Sequence, residues 1–221
     1  KPQKNRRKMK NFISRNEELK IKFNSHFQLL TGTETDFYSA LKNEDILELK
    51  TVLSDINNLL TYKLTLIAGK WIGDYFSLSK EYKETILENI DAIKPNAQGF
   101  DIVINEPIKI IAEVKCNVPV KGGSKFGAMQ TKKLIEDVQK LLNGKRQILD
   151  TSKYLKFLFV INIGNRSEEA LNNLTQKTKI RKENEERLNR NIARENMIII
   201  NNELSSELKF DKVYLKILEL K

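Results

Sequence analysis

A near-continuous apolar run in the second half of the chain constrains the fold most. Tyr154–Ile163 consists almost entirely of aliphatic and aromatic residues, and Gly164-Asn165 ends it. A short strand that is apolar on both faces must be covered on both faces, which is typical of a parallel sheet that lies between helices. The run therefore predicts the central strand of an α/β domain.

Helical and strand spacings predict most of the other elements. Apolar residues recur every three or four positions in the N-terminal part, which predicts helices over Phe12–Leu30, Asp45–Leu60, Tyr62–Phe76 and Lys80–Ala92. Downstream we expect a helix over Gly127–Leu142, a long polar helix over Ser167–Glu195, and strands over Met197–Ile200 and Val213–Leu218. This order predicts an N-terminal helical region at residues 1–95 and an α/β core at residues 96–221, which together form one compact domain.

The composition excludes several kinds of site. The chain has 221 residues with one Cys and one His, so internal disulfides, thiolate zinc sites and sites that need two imidazoles are all excluded. No apolar run approaches the ~20 residues of a membrane span. We therefore expect a soluble intracellular protein whose chemistry uses carboxylates, lysines, hydroxyl groups or a bound metal.

Positive charge is concentrated in three stretches. The net charge is +10, and nine basic residues against two acidic ones fall within residues 1–22. Residues 121–147 and 177–195 are also basic, whereas residues 33–106 carry thirteen acids against seven lysines. Each stretch alone is typical of a solvated face or a flexible tail, but together they favour a surface that binds a polyanion.

A predicted hairpin brings charged residues together in an apolar setting. Phe100–Asn105 and Ile108–Val114 are rich in β-branched residues, and Glu106-Pro107 supplies a turn between them. Counting back from that turn places Asp101 nearly opposite Glu113. Side chains alternate along a strand, so Lys115 shares the face of Glu113, and the three groups should converge at one end of the hairpin.

This constellation predicts a divalent-cation site. Two adjacent buried carboxylates repel each other, and a bound cation such as Mg²⁺ removes that cost. The main-chain carbonyl of Val114 would be a further ligand. Such a metal polarises a phosphate and activates water, while the lysine positions that water or stabilises transition-state charge. The alternative is that Glu113 and Lys115 pair with each other on a solvated face.

The same residues resemble the PD-(D/E)XK nucleases, and most of all the type II restriction endonucleases. Phe100-Asp101, eleven intervening residues and then Glu113-Val114-Lys115 carry the resemblance, which spans roughly Gly99 to Ile163. It departs at Phe100, where the motif has proline. The resemblance implies a restriction-endonuclease-like core in which a mixed β-sheet is flanked by helices. It also implies Mg²⁺ as the cofactor, Asp101 and Glu113 as its ligands, and Lys115 as the residue that assists the attacking water.

Further positions are candidates for supporting roles. Related nucleases place extra polar residues near the metal, for which Asp74, Glu88 and Gln130 are the candidates. Basic and hydroxyl residues of the two downstream basic stretches are candidates for DNA contacts: Lys121, Ser124, Lys125, Lys132, Lys133, Arg181, Arg187 and Arg190. Each of these positions is also consistent with an ordinary solvated surface.

Taken together, these features predict a Mg²⁺-dependent endonuclease for double-stranded DNA in the prokaryotic cytoplasm, associated with the nucleoid. Sequence-specific restriction cleavage is the expected activity, and cutting both strands favours a homodimer. A repair or recombination nuclease of the same fold remains open, as does a DNA-binding module without catalysis. An RNA-binding protein would explain the charge but not the paired acids.

Overall fold

The computed structural model describes residues 2–93, 99–120, 123–146, 148–177, 185–201 and 208–220. Side chains are described within these ranges from residue 15 onward, except at residues 165 and 187. The chain divides into two compact units, residues 1–56 and 57–221. In the described ranges, no helix is both long and apolar enough to cross a membrane.

The first unit is helical. It contains α1 (Pro2–Thr31), α2 (Phe37–Ala40) and the beginning of α3 (Asn43–Tyr75). Gly32 follows α1 at a φ of +69°, the left-handed conformation in which a glycine commonly ends a helix. The two helices expected over residues 45–60 and 62–76 are instead one continuous helix. The prediction of a break was wrong because no glycine or proline interrupts the helical spacing between Asn43 and Gly69.

The second unit is built on a five-stranded mixed sheet. The strands are β1 (Ile102–Ile104), β2 (Ile110–Lys115), β3 (Leu155–Ile161), β4 (Met197–Ile199) and β5 (Val213–Leu218). Their order in the sheet is β1-β2-β3-β5-β4; β1 is antiparallel to β2, and all the other neighbours are parallel. The predicted hairpin and central strand are both confirmed, since β3 lies in the middle and all seven of its residues are buried.

Helices cover both faces of this sheet. The second half of α3 and α4 (Lys80–Ala92) pack on the face that carries Ile110, Ala112 and Val114 of β2. The opposite face carries Ile111. On that face pack α5 (Ala128–Asn143), α6 (Asn165–Thr175) and α7 (Glu185–Glu195). The chain is therefore mixed α/β, as expected, and strand alternation places Glu113 and Lys115 on the α5 face.

The polar segment after β3 forms two helices, so the prediction of one helix over Ser167–Glu195 was wrong. Gln176 is extended (φ −71°, ψ 131°) and ends α6, while residues 178–184 lie outside the described ranges. The buried Arg194 of α7 donates from Nε to the carbonyl of Leu174, 3.1 Å away. This contact satisfies a carbonyl that continuation of α6 would otherwise use, and it holds α7 beside α6.

Candidate active site

The hairpin register brings the three predicted catalytic residues together. Ile102 pairs with Ala112, so the next position outward sets Asp101 opposite Glu113. Directly opposed residues of an antiparallel pair share one face of the sheet, and Lys115, two residues beyond Glu113, shares it as well. One end of β2 therefore presents two carboxylates and an ammonium group toward the α5 side.

Asp101 is fixed by the backbone of β2. Its Oδ2 accepts a hydrogen bond from the Val114 amide at 2.7 Å. The N–H and C=O of one strand residue point toward the same neighbouring strand, so the Val114 carbonyl also faces the Asp101 edge. Burial, followed by the charge of Glu113, raises the pKa of Asp101 to about 6, although Lys115, the Val114 amide and Lys145 oppose the rise.

Glu113 lies at the centre of an ion-pair network. It is 2% exposed, and its Oε2 accepts a hydrogen bond from Lys115 Nζ at 2.8 Å. Its Oε1 accepts one from Lys145, whose Nζ also donates to the Gly99 carbonyl at 2.7 Å. Both carboxylate oxygens are therefore satisfied by lysines, as a buried charge requires.

Lys115 is also held from the helix that packs above it. Its Nζ lies 3.2 Å from Oδ2 of Asp137, a buried residue of α5. Burial acts to lower the pKa of Lys115, but the carboxylates of Glu113, Asp137 and Asp101 outweigh burial and raise it. Lys115 therefore remains an ammonium donor through the neutral pH range.

The donor set at this end of β2 suits a hard cation. Glu113 pairs with Lys115 and Lys145, and Asp137 pairs with Lys115 and Lys140, whereas the side chain of Asp101 accepts a hydrogen bond only from a backbone amide within the described ranges. No group of three or more His, Cys, Asp or Glu side chains in the described ranges is arranged to hold a metal. A cation here would therefore bind Asp101, Glu113 and the Val114 carbonyl, with water completing its shell, as Mg²⁺ commonly does.

Sequence reasoning missed two residues of this network, Asp137 and Lys145. Asp137 had a usable signal, because it lies between Leu134 and Leu141 on the apolar stripe of α5, where an acid is expected only with a partner. Lys145 follows the end of α5 at Gly144 and gave no such signal. Its position depends on the turn after that helix.

The three supporting candidates lie apart from this network. Asp74 is exposed at the end of α3, on the opposite side of the sheet, and pairs with Lys83 at 2.7 Å. Glu88 is exposed on α4, on that same opposite side. Gln130 makes local contacts, since its Oε1 accepts from the Gly127 amide at 2.9 Å and its Nε2 donates to the Val118 carbonyl at 3.2 Å.

The candidate DNA contacts fall into three groups. Lys125 and Lys133 are exposed, and they make no ion pair within the described ranges. Lys132 lies 3.8 Å from Glu136 and 3.9 Å from Glu186, which also pairs with Arg190; the carbonyl of Ser124 accepts a hydrogen bond from Asn173 at 2.9 Å. Lys121, Arg181 and the side chain of Arg187 lie outside the described residues.

The arrangement thus combines a buried carboxylate pair, a strongly held lysine and unpaired surface lysines on the helix and loop that follow β2. Comparisons of the chain with protein-family models, with curated proteins and with solved structures found no match.

Proposed function

We propose that this chain is a Mg²⁺-dependent endonuclease that hydrolyses phosphodiester bonds of double-stranded DNA. The proposal includes a PD-(D/E)XK-type, restriction-endonuclease-like core and sequence-specific cleavage of the type II restriction kind. The observation that carries it is the convergence of Asp101, Glu113 and Lys115 on one face at the end of β2. The mixed sheet with helices on both faces supports the same assignment.

The two carboxylates would hold the cation together with the Val114 carbonyl. When bound, Mg²⁺ supplies Lewis-acid polarisation of the scissile phosphate and lowers the pKa of a coordinated water. Asp101 is held by a backbone amide and needs no large rearrangement to become a ligand, whereas Glu113 would exchange its contact with Lys145 for the cation. A preorganised ligand such as Asp101 lowers the cost of metal binding.

Lys115 would serve as the charge-stabilising donor. The pKa of this lysine is raised, so it stays protonated and can donate to oxygen atoms that gain negative charge during attack on phosphorus. Its contacts with Glu113 and Asp137 aim the ammonium group at the end of β2 where the carboxylates meet. Asp137 then acts as a positioning residue that orients Lys115.

DNA binding is supported by the surface around this site. Lys125 and Lys133 follow β2 in the chain and are free to contact phosphates, since no carboxylate within the described ranges pairs with them. Neutralising phosphates releases counterions, which supplies most of the sequence-independent affinity for DNA. Cleavage of both strands by enzymes of this class generally takes two active sites, so the proposal includes a homodimer matched to a two-fold symmetric sequence.

One observation favours a second candidate, a DNA-binding module without hydrolysis. Lys115 and Lys145 already neutralise Glu113, so the network is stable as a purely structural element. In that case the basic surface would bind DNA, and no metal would displace either lysine. The two candidates differ in one respect that is simple to measure, the dependence of strand cleavage on a divalent cation.

Plasmid cleavage tests the proposal. Supercoiled plasmids of different sequence are incubated with the protein and Mg²⁺, and in parallel with EDTA. We expect discrete fragments that disappear with EDTA, with Glu113→Ala and with Lys115→Ala, while the matched control Glu84→Gln on the exposed face of α4 cuts as the wild type does. Absence of cleavage with every plasmid and divalent metal, combined with retained DNA binding, would establish the binding module instead.

Lys115→Ala separates chemistry from affinity. If Lys115 stabilises transition-state charge, its removal lowers the cleavage rate by about 10²-fold or more and leaves DNA affinity and its salt dependence unchanged. An equal loss of affinity would assign Lys115 to structure or DNA contact rather than to the reaction.

A further inference from the structure

A cavity lies at the carboxyl ends of β3, β4 and β5, and its lining includes no residue of the hairpin. It has a volume of about 1020 Å³ and is lined from α3, from α6 and from the ends of β3, β4 and β5. Its polar lining consists of Lys70, Asn162, Glu168, Asn172, Asn201 and Lys216, with Glu219 beside them. Ligands of open α/β sheets commonly bind outside the carboxyl ends of the strands, and this volume suits a small organic molecule.

Lys216 is the unusual residue of this cavity. It is 7% exposed on β5, on the sheet face that also carries Tyr214 and Leu218. In the described part of the chain its ammonium group makes neither an ion pair nor a hydrogen bond. Its Nζ lies 5.7 Å from the centroid of the Trp71 ring, which is a cation–π contact.

Among the described residues, no carboxylate lies close enough to Lys216 to act as its counter-ion. Burial alone lowers the pKa of this lysine, and neither Glu168 nor Glu219 lies close enough to offset that effect. Lys156, the comparable buried lysine of β3, is satisfied instead, since it donates to the carbonyls of Thr151 and Tyr154 at 2.6 and 2.9 Å. A buried cation that lines a cavity without a partner is stabilised when an anion enters.

The charges that line the cavity are divided between its two sides. Lys216 and the exposed Lys70 lie on the α3 side, whereas Glu168 belongs to α6 on the other face of the sheet. Glu219 follows β5 and accepts a hydrogen bond from Asn162 at 3.4 Å. Two ammonium groups match the double negative charge of a phosphate. The amides of Asn162, Asn172 and Asn201 match groups that both donate and accept hydrogen bonds, as the edge of a nucleobase does.

We propose that this cavity binds the phosphate group of a nucleotide, with Lys216 as the buried counter-charge and Lys70 as the second cation. The source of the phosphate is a free nucleotide or a nucleic-acid strand, and both present the same chemistry. The site is separate from the hairpin residues, so the inference does not depend on the nuclease proposal.

Trp71 provides a direct readout, because it is the only tryptophan of the chain and lies against Lys216. Inorganic phosphate is titrated into the full chain at constant ionic strength, with chloride as the reference anion, and tryptophan fluorescence is recorded. We expect a saturable change with phosphate in the wild type and in the control Lys63→Met, which alters an exposed lysine of α3 outside the cavity. In Lys216→Met we expect binding at least tenfold weaker.

Two further variants keep the test decisive. Lys216→Met removes a buried charge that has no ion-pair partner in the described part of the chain, so we expect it to be at least as stable as the wild type, which urea unfolding checks. Lys70→Ala changes an exposed residue and should weaken phosphate binding several-fold without affecting folding. No saturable response in the wild type, or an equal response in Lys216→Met, would overturn the proposal.

Adenosine monophosphate and a short DNA duplex then identify the source of the phosphate. Tighter binding of the monophosphate than of inorganic phosphate, unaffected by the duplex, assigns a free nucleotide. Displacement of phosphate by the duplex assigns a strand. The fluorescence of Trp71 reports on Lys216 and not on the hairpin residues, so failure of the nuclease proposal would leave this result unchanged.

Discussion

At the residue scale, the buried position of Asp101 disfavours its carboxylate form, and a bound cation would stabilise that form. A carboxylate must be ionised to bind metal, yet burial and the neighbouring Glu113 disfavour that ionised form and raise its pKa to about 6. The folded protein therefore binds a proton at Asp101 more tightly than the unfolded chain does. The stability that protonated Asp101 contributes is fully present below about pH 4, the ordinary pKa of Asp. It is lost as the pH rises through about 6.

Asp101→Asn should therefore stabilise the metal-free protein at high pH. The amide oxygen can still accept the Val114 hydrogen bond, while the disfavoured charge is removed. In EDTA at pH 8 we expect the free energy of unfolding to rise by about 1–2 kcal/mol. This is less than the ~1.4 kcal/mol per pKa unit of a fully buried group, because solvent partly screens the charge of Asp101. The gain should vanish near pH 4. Urea unfolding measures it, and a loss of stability at pH 8 would contradict the assignment.

Lys145 competes with a metal for Glu113. Its ammonium group contacts Glu113 Oε1, and a cation would need that oxygen or its partner. Lys145→Met should therefore raise Mg²⁺ affinity by about tenfold, equivalent to ~1.4 kcal/mol, as measured by calorimetry. Lys140→Met is the matched control, because the partly exposed Lys140 contacts Asp137 rather than Glu113. Weaker Mg²⁺ binding in Lys145→Met would mean that this lysine holds the ligands in place.

At the scale of elements, the strands were easier to predict than the ends of the helices. Period-two alternation and the turn at Glu106-Pro107 determine the register of β1 and β2, so the meeting of Asp101 and Glu113 was predictable. The end of α6 was not, because the contact of Arg194 with Leu174 joins residues twenty positions apart. Asp137 was recognisable as an acid on an apolar stripe, but the sequence did not indicate that it pairs with Lys115.

The turn after α5 decides where Lys145 lies. Gly144 has a φ of +95°, and a Cβ added there would lie 2.5 Å from the Leu149 carbonyl oxygen and 2.6 Å from that of Ile148. Gly164 has a similar φ of +88° with nothing within 4 Å. Substitution of Gly164 therefore measures the cost of backbone strain alone, because the added Cβ would contact no other atom.

Gly144→Ala should cost more stability than Gly164→Ala. We expect both to lose about 1–3 kcal/mol from strain, and Gly144→Ala to lose at least ~1 kcal/mol more because backbone atoms must move. Chemical unfolding of the two variants gives the difference. Equal losses would mean that the turn relaxes without cost, and Mg²⁺ affinity of Gly144→Ala would then match that of the wild type.

At the scale of the whole molecule, the net charge of +10 is consistent with DNA binding but does not specify it. What the sequence could predict was the mixed α/β fold and one buried carboxylate pair. It could not predict which lysines remain unpaired, because pairing depends on contacts between distant elements. Lys132 meets Glu186 of α7, for example, whereas its neighbour Lys133 meets no carboxylate in the described ranges.

Removing unpaired lysines should change the salt dependence of DNA binding. If Lys125 and Lys133 each contact a phosphate, the double substitution to Ala lowers the slope of log K against log salt by about 2. The control is the same substitution of Lys63 and Lys153, which are exposed on other elements. Fluorescence anisotropy with a labelled duplex over a salt series gives the slopes, and equal slopes for both double variants would exclude Lys125 and Lys133 from the interface.

The central claim is that Asp101 and Glu113 bind a catalytic cation, and a crystal soaked in Mn²⁺ tests it most directly. We predict one anomalous peak at the end of β2, about 2.1 Å from oxygens of Asp101, Glu113 and the Val114 carbonyl, with Lys145 displaced from Glu113. The peak should be absent in Asp101→Asn. A soaked crystal that shows no anomalous peak at this position, and in which Glu113 remains paired with Lys115 and Lys145, would contradict the account.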